Sequence, residues 1–549
     1  MNQIENTLKT LIVQAVRSAF DYEMDMDQAV IEIPKDTSFG DYSTNAAMRL
    51  TRVLQKKPRD IALVLAEELK KNTDFIRSCE VAGPGFLNFR LHTASLSGVI
   101  AQVLKAGVHY GESDSGHREK INVEYVSANP TGDLHPGHAR GAAIGDSCTR
   151  LLKMAGYDVT REYYINDAGN QINNMAKSLR ARYYQVCGRD VAVPEDGYNG
   201  TDLITIAEEM KKEYGESLLR EDMDENLSAF RSYGLKAELD KLRKDLEAFN
   251  CQFDVWTSEQ SIYDRGMVEK AIQQLKDEGV TYESEGALWL KTTQYGDDKD
   301  RVIIKSDGSK TYLMPDIAYH LDKYDRGYDK LVDFFGADHH GYIIRLHAAI
   351  QALGYPSEAL DIRIIQMARM IKDGEEFKLS KRTGKAVSLR DLIEEAGVDA
   401  VRYFFANRAA DTHMDFDLDM AKKQTNENPV YYAQYAHARV SSILRGHEDE
   451  VEIKDSYELL THPKETDLLK HINSFPEVVA DAAAEFAPHK ICNYIQRLAM
   501  LFHTFYNECK VLDENAPELS RERLALVSAV KITMRNALEL IGVSAPERM

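Results

Sequence analysis

Two histidines three residues apart, His135 and His138, flank Pro136 and Gly137 in the stretch NPTGDLHPGHARG, Asn129 to Gly141. The apolar run INVEYV precedes them and a long helical pattern follows, so the pair sits where a strand hands over to a helix. Pro136 suits the first helical turn, where its missing N–H costs nothing. Gly137 lets a flat ring or a phosphate approach the backbone. A helix N-terminus offers free N–H groups and a positive dipole end to anions. Two imidazoles aimed at the same spot could hydrogen-bond a phosphate chain, more strongly as charge develops there. The competing readings are a metal pair or two surface histidines. A metalloenzyme motif would want a third ligand nearby and a Glu between the histidines, as in H-E-x-x-H, and this stretch has neither.

The second stretch with chemical potential is FKLSKRTGK, Phe377 to Lys385. Lys378, Lys381, Arg382 and Lys385 crowd a turn-rich loop after a strand. Flexible lysines act as point charges and can stabilise transferring phosphates. A lone cluster of this kind is more often a solvated loop. The TGK ending is not a P-loop, because the leading glycines are missing and Ala386 stands where Ser or Thr would bind Mg²⁺.

The elements that must position these stretches follow from periodicity. Residues 1–110 read as an α+β unit, with helical patterns at the start and at PRDIALVLAEELKK and strands at AVIEIP and GFLNFRL. The polar segment 107–120 reads as a linker. From 121 onward strand and helix alternate, which predicts a parallel sheet with crossover helices. Residues of about 190–285 break the rhythm and read as a largely helical insertion. Strands return at ALWLKT and RVIIKS, with SDGSK turning the chain into TYLM as a hairpin. Ser388 with Asp391 predicts a helix cap. From 430 to 549 nearly everything is helical, so a bundle is expected.

The 549 residues are too many for one core. The net charge of −20 lowers the expectation of a nucleic-acid partner. It is uneven, however: residues 1–110 balance 13 basic against 13 acidic side chains, while the middle of the chain carries most of the excess acid. Such a distribution leaves room for local basic surfaces. No run approaches a membrane span, and no basic n-region with an apolar core marks a signal peptide. The six cysteines form no C-x-x-C pair, which disfavours zinc ribbons and disulfide frameworks.

Taken together, HPGH after the first strand and KLSKR after the last one resemble the paired signatures of class I aminoacyl-tRNA synthetases. VEYVSANPTGDLHPGHARGAAIGD, TYLMPDIAYHLDKY, FFGADHHGY, FGDYSTN and GPGFLNF resemble arginyl-tRNA synthetases specifically, over nearly the whole chain. The resemblance implies an α/β fold: a Rossmann-type parallel-sheet catalytic domain with helical insertions, an N-terminal α+β domain and a C-terminal α-helical bundle. It implies residues 1–110 as a tRNA-binding domain and 111–375 as the catalytic domain with its insertion at about 190–285. Residues 376–429 would be a signature-loop and stem-contact region, and 430–549 an anticodon-binding domain. The implied activity is arginine–tRNA ligation: L-arginine and ATP, with Mg²⁺ and no protein-ligated metal, give arginyl-adenylate, and arginine passes to tRNA(Arg). A tRNA, rather than DNA or a membrane, would be the macromolecular partner of a cytoplasmic monomer.

Residue by residue, the resemblance implies His135, Pro136, Gly137, His138, Lys378, Ser380 and Lys381 as ATP-binding. Of these, His135, His138, Lys378 and Lys381 would be catalytic. Glu124, Ser127, Asn129, Tyr312, Asp316 and His339 would bind arginine. Tyr431, Tyr435 and Arg439 would face tRNA, although aromatics at a domain junction are as readily core packing. Many relatives lack the second loop lysine and place a compensating lysine before the HPGH-type motif. This chain has Gly132 in that region and keeps Lys381. A guanidinium pairs best with carboxylates in a fork. Glu124, in an apolar strand, would be costly if buried unpaired; Asp316 alone could be a plain N-cap. The alternatives are a catalytically inactive tRNA-binding or regulatory relative, disfavoured by the intact histidines and lysines, and a class I synthetase for another amino acid.

Overall fold

In the computed structural model, which describes residues 3–34, 39–198, 200–377, 386–447 and 451–549, the amino-terminal unit is an antiparallel sheet covered by helices. Its strands β1 (Ile31–Glu32), β2 (Tyr42–Thr44), β3 (Ile76–Ala82) and β4 (Phe86–Leu91) lie in the order β1-β2-β4-β3. Helices α1 (Gln3–Phe20) and α2 (Pro58–Leu69) pack together, with Leu8, Ile12, Ile61 and Leu65 fully buried.

The segment read as a linker is a packed strap. After α3 (Thr93–Ala106), the Tyr110 hydroxyl donates to Ile472 O at 2.8 Å. The Asn536 amide donates to Gly107 O and Tyr110 O at 2.9 and 3.0 Å. Its polar side chains from Glu112 to Lys120 are mostly exposed, as the composition suggested; Tyr110 and two backbone carbonyls make the contacts to the carboxy-terminal helices.

The alternation from 121 onward builds one five-stranded parallel sheet. Its strands are β5 (Lys120–Glu124), β6 (Asp158–Ile165), β7 (Val255–Ser258), β11 (Lys330–Gly336) and β12 (Leu360–Ile365), in the order β12-β11-β5-β6-β7. Every neighbouring pair is parallel. Renumbered from its first strand, this is the 5-4-1-2-3 order of a doubly wound sheet, whose ligand crevice lies where the order reverses, between β5 and β11. Helix α4 (Pro136–Met154) leaves the end of β5 and is buried on nearly every side. Helix α5 (Asn170–Val186) follows β6, and α6 (Thr201–Tyr214) and α7 (Leu227–Ala248) make the insertion. The insertion is shorter than periodicity suggested, because β7 rejoins the main sheet at 255–258.

Beyond it, β8 (Thr281–Ser284), β9 (Ala287–Leu290) and β10 (Arg301–Ile304) form a small antiparallel sheet. The expected second arm, TYLM, closes only a single bridge from Lys310 to Ile304 and then enters helix α8 (Leu313–Asp325). Helix α9 (His340–Ala352) connects β11 to β12. A three-stranded sheet, β14-β13-β15, follows: β13 (Ala368–Lys372), β14 (Glu375–Glu376) and β15 (Met414–Asp417). The Ser388–Asp391 capping box opens α10 (Leu389–Ala396), which runs into α11 (Val398–Ala406). Then come α12 (Pro429–Leu444), α13 (Pro463–Asn473), α14 (Phe475–Ala484), α15 (His489–Glu508) and α16 (Pro517–Leu540), a helix bundle. Among the described residues no helix is long and apolar enough to cross a membrane.

Arg402 on α11 ties these parts together. It is fully buried and donates to Asp146 on α4 at 2.6 Å, to Phe249 O and Asn250 O at 3.0 and 3.2 Å, and to Ile541 O at 3.0 Å. A Cβ on Gly542 would lie 2.3 Å from that guanidinium, so the glycine, at φ +66°, makes the approach possible. Arg150, from the same helix as Asp146, donates to Asp146 at 2.7 Å and to Glu539 O at 3.2 Å. Arg402→Met leaves Asp146 buried without this partner, and is expected to cost about 3–5 kcal/mol. Urea unfolding of the two chains measures it; a change near zero would show that the site relaxes.

Candidate active site

Strand β5 ends in a strained turn. Val126 and Ser127 both have positive φ, +70° and +37°, a region that costs a β-branched residue of order 1–3 kcal/mol. Local bonds hold the turn: the Ser127 hydroxyl donates to Glu124 at 2.9 Å and accepts from Tyr164 N at 3.1 Å. The turn folds Glu124, Ser127 and Asn129 around a cavity of about 760 Å³. Its far wall comes from the end of β11 and the residues after it, Asp333 to His339, so the cavity occupies the switch point of the sheet.

His135 is the N-cap of α4 and His138 its third residue, joined in a reciprocal capping box. His135 Nδ1 accepts from Gly137 N at 3.1 Å and His138 N at 3.3 Å. His138 Nδ1 accepts from His135 N at 3.3 Å. Backbone N–H groups can only donate, so both rings must carry their proton on Nε2, the nitrogen away from the helix. The rings stack with centroids 3.6 Å apart. Burial pushes both below the ordinary histidine range, His138 to about 3 with the nearness of His135 adding to it. At neutral pH the pair therefore presents two uncharged Nε2–H donors. Gly137 acquires a second reason: a Cβ there would meet the His135 ring at 2.9 Å and push it out of the cap.

The opposite end of the cavity is acidic, and its charges divide into two groups. In the first, buried Lys323 donates to Glu124 at 2.7 Å and Asp333 at 3.1 Å. His320 donates through Nδ1 to Asp316 O at 2.7 Å, and its Nε2 lies 2.8 Å from Asp333. Asp333, despite burial, is held well below the usual carboxylate range by Lys323 and His320, while Asp333 holds His320 up against its own burial. The set His320⁺, Asp333⁻, Lys323⁺, Glu124⁻ is neutral. Glu124 thus has an in-chain cation, a partner of the kind its burial required.

The second group is Asp316 with Glu259 near it. Asp316 accepts from the Tyr342 hydroxyl, and burial followed by the nearby Glu124 and Asp333 raises it to about 6. Glu259, first residue of the helix Glu259–Asp264 after β7, is raised to about 7 by burial and then by Asp316. Two carboxylates that oppose each other's ionisation favour a cation in the slot beside Asp316, which lines the cavity while Glu259 does not. Asp316 lies in the first turn of α8, with Tyr312 as N-cap residue, so it is not a plain N-cap.

Of the residues singled out from the sequence, Glu124, Ser127, Asn129, His135, Gly137, His138, Asp316 and His339 line this cavity. Pro136 is the first residue of α4. Tyr312, expected to bind arginine, does not line the cavity and is 90% exposed; Tyr342 lines it and donates to Asp316. Lys378, Ser380 and Lys381 lie outside the described residues. Tyr342, Glu259, Lys323 and His320 were missed. Tyr342 lies in FFGADHHGY, and His320 and Lys323 lie in TYLMPDIAYHLDKY, stretches that carried a sequence signal; Glu259 had none. Among the described residues no cluster of three or more His, Cys, Asp or Glu could hold a metal ion.

Away from the cavity, Tyr431 and Tyr435 on α12 stack in parallel with centroids 6.2 Å apart. The Arg439 guanidinium lies 4.5 Å from the Tyr506 ring and 5.8 Å from that of Tyr435. All four side chains are half-buried, leaving an aromatic and cationic strip on the bundle.

Comparison with known proteins agrees with this architecture. Residues 6–91 match the family described as arginyl tRNA synthetase N terminal domain, 99–443 the class I (R) tRNA synthetase catalytic domain, and 433–549 the DALR anticodon binding domain. The arginine–tRNA ligase of Bacillus licheniformis is 55% identical over all of both chains. That of Bacillus subtilis (strain 168) is 55% identical over all of this chain and 99% of its own. Among solved structures, a putative arginyl tRNA synthetase from Campylobacter jejuni superposes with TM-score 0.77 at 37% identity, covering 84% of this chain and 100% of that one. Thermus thermophilus arginyl-tRNA synthetase shares the fold, with TM-score 0.75 at 23% identity, covering 99% of this chain and 100% of that one.

Proposed function

The chain belongs to the arginyl-tRNA synthetases, and from that premise we propose how its cavity carries the reaction. It is an arginine–tRNA ligase, using ATP, L-arginine and tRNA; full-length identity to named ligases favours this over an inactive relative or a synthetase for another amino acid. The arginine side chain enters the slot beside Asp316, with Glu259 near it and next to the Glu124–Lys323 pair. That slot, where Asp316 lines the cavity and accepts from the Tyr342 hydroxyl, is the observation that carries the assignment. A guanidinium is planar, always charged and a five-fold donor, so it matches paired carboxylates better than an ammonium does. Ser127, Asn129 and His339 lie toward the amino and carboxylate groups.

ATP lies along the α4 end. The His135 and His138 Nε2–H groups donate to its phosphates, at the positive dipole end of α4. Lys378, Ser380 and Lys381 supply the positive side of the site. The arginine carboxylate oxygen bonds to the α-phosphorus as the bond to the β-phosphate oxygen breaks, and the electron pair leaves with pyrophosphate. Positioning and electrostatics carry the rate, because the protein forms no covalent bond. Mg²⁺ arrives with ATP, held mainly by phosphate oxygens.

Residues 1–110 bind tRNA, 111–375 catalyse, 376–429 contact the acceptor stem and 430–549 bind the anticodon; the strip of Tyr431, Tyr435 and Arg439 stacks on bases. The protein acts as a cytoplasmic monomer. The test is ATP–pyrophosphate exchange with and without tRNA(Arg). Exchange that depends on arginine supports the reading; exchange with another amino acid, or with none, overturns it.

The slot also sets a pH dependence. Both carboxylates have raised values in the free protein, and a bound cation favours their ionised forms. Arginine binding therefore releases protons and weakens as pH falls. The arginine KM is expected to rise about tenfold per pH unit below about 7, and more steeply below about 6 as the second carboxylate protonates. Arginine itself does not titrate there, so a KM flat between pH 5.5 and 8 would contradict the slot.

A further inference from the structure

Helix α7 touches both halves of the phosphate-binding machinery from one face. Lys241 and Asp245 lie one turn apart on it, and residues at this spacing share a side. Lys241 donates to Asp133 at 2.7 Å, two residues before His135. It is held in place by Asp202 and Glu238, each at 3.3 Å. Asp245 accepts from Arg390, with Nε at 3.2 Å and a second, closer contact from Nη2. Arg390 follows the basic loop by five residues. Leu389 N donates to Leu134 O at 2.6 Å, joining the two signature segments directly. Three contacts thus close a ring: the turn before His135, the base of the basic loop, and α7.

We propose that Lys241 and Asp245 are positioning residues for ATP, holding the turn that carries the imidazole pair against the segment that opens at Leu389. This rests on the assignment of His135 and His138 to the phosphates. Neither residue lines the cavity, so both act through the segments they grip. Exposed ion pairs contribute little, but here the Lys241 and Asp245 side chains are only 19% and 8% exposed. Each also joins stretches more than a hundred residues apart in the chain. The insertion is then a strut for the nucleotide site as well as a decoration of the sheet.

The test is ATP affinity, measured by equilibrium dialysis of labelled ATP against the full chain without amino acid, alongside the arginine and ATP KM values in exchange with tRNA. Lys241→Met and Asp245→Asn are each expected to weaken ATP binding by about tenfold or more, since small misplacements cost up to ~10²-fold. The arginine KM stays within about twofold, and Lys241→Arg recovers most of the loss. If Lys241→Met fails to fold, Asp133→Asn breaks the same contact from its more exposed end and carries the same expectation. ATP affinity unchanged in these variants, or ATP and arginine weakening together with a fallen Tm, overturns the proposal. Arginine-independent exchange by the parent would instead count against the function assigned above, because the dialysis needs no amino acid; a parent that binds no ATP overturns both.

Discussion

Replacing Asp316 by alanine is expected to raise the arginine KM by roughly 30-fold to several-thousand-fold, the 2–5 kcal/mol lost when one partner of a buried charge pair is truncated. The ATP KM should change little, because the imidazole pair sits at the other end of the cavity. Three features make Asp316 the most sensitive position. It stands apart from the set in which Lys323 and His320 neutralise Glu124 and Asp333. It sits in the first turn of α8, where the dipole supports an anion. Its direction is set by the Tyr342 hydroxyl. Asp316→Asn keeps the shape, removes the charge and should lose nearly as much; it should also remove one of the two proton releases from the pH profile. Steady-state exchange kinetics at several arginine concentrations measure this, and an unchanged arginine KM would take Asp316 out of the pocket.

The second large effect is on rate. His138→Ala is expected to slow adenylate formation by about 10²–10³-fold, the usual loss for one preorganised donor to developing negative charge. The same side chain caps α4, and a lost cap costs only about 1 kcal/mol. Stability and rate should therefore separate: Tm falls by a few degrees while exchange nearly disappears. His135→Ala should lose both more rate and more stability, because His135 Nδ1 accepts from two backbone N–H groups. If His138→Ala slows exchange only as far as its loss of folded protein explains, the ring is a cap and nothing more.

These residues also mark how far the sequence could be read. HPGH was legible because a strand, a proline at the first helical position and a glycine occupy consecutive places, and local rules govern all three. The parallel sheet was legible from alternating periodicities. The division of charge in the slot was not. Glu124 and Lys323 stand 199 positions apart, and nothing local says that one neutralises the other. Glu259 looked like part of an insertion until β7 was seen to rejoin the sheet. Tyr312 and Tyr342 are chemically equal on paper; which one reaches Asp316 depends on where α8 and α9 begin. The segment 107–120 was partly legible: its polar side chains are mostly exposed, as composition implied, but the Tyr110 hydroxyl and the carbonyls of Gly107 and Tyr110 are bonded to the carboxy-terminal helices.

Arg402 has an implication for how the molecule comes into being. Two of the chain segments it grips, around Asp146 and Phe249, are translated long before it; Ile541 and Gly542 are translated well over a hundred positions after it. Until those turns are made, the guanidinium lacks one of its acceptors and the helix bearing the imidazoles lacks its rear support. Catalytic competence should therefore wait until Ile541 and Gly542 have left the ribosome and closed over the sheet.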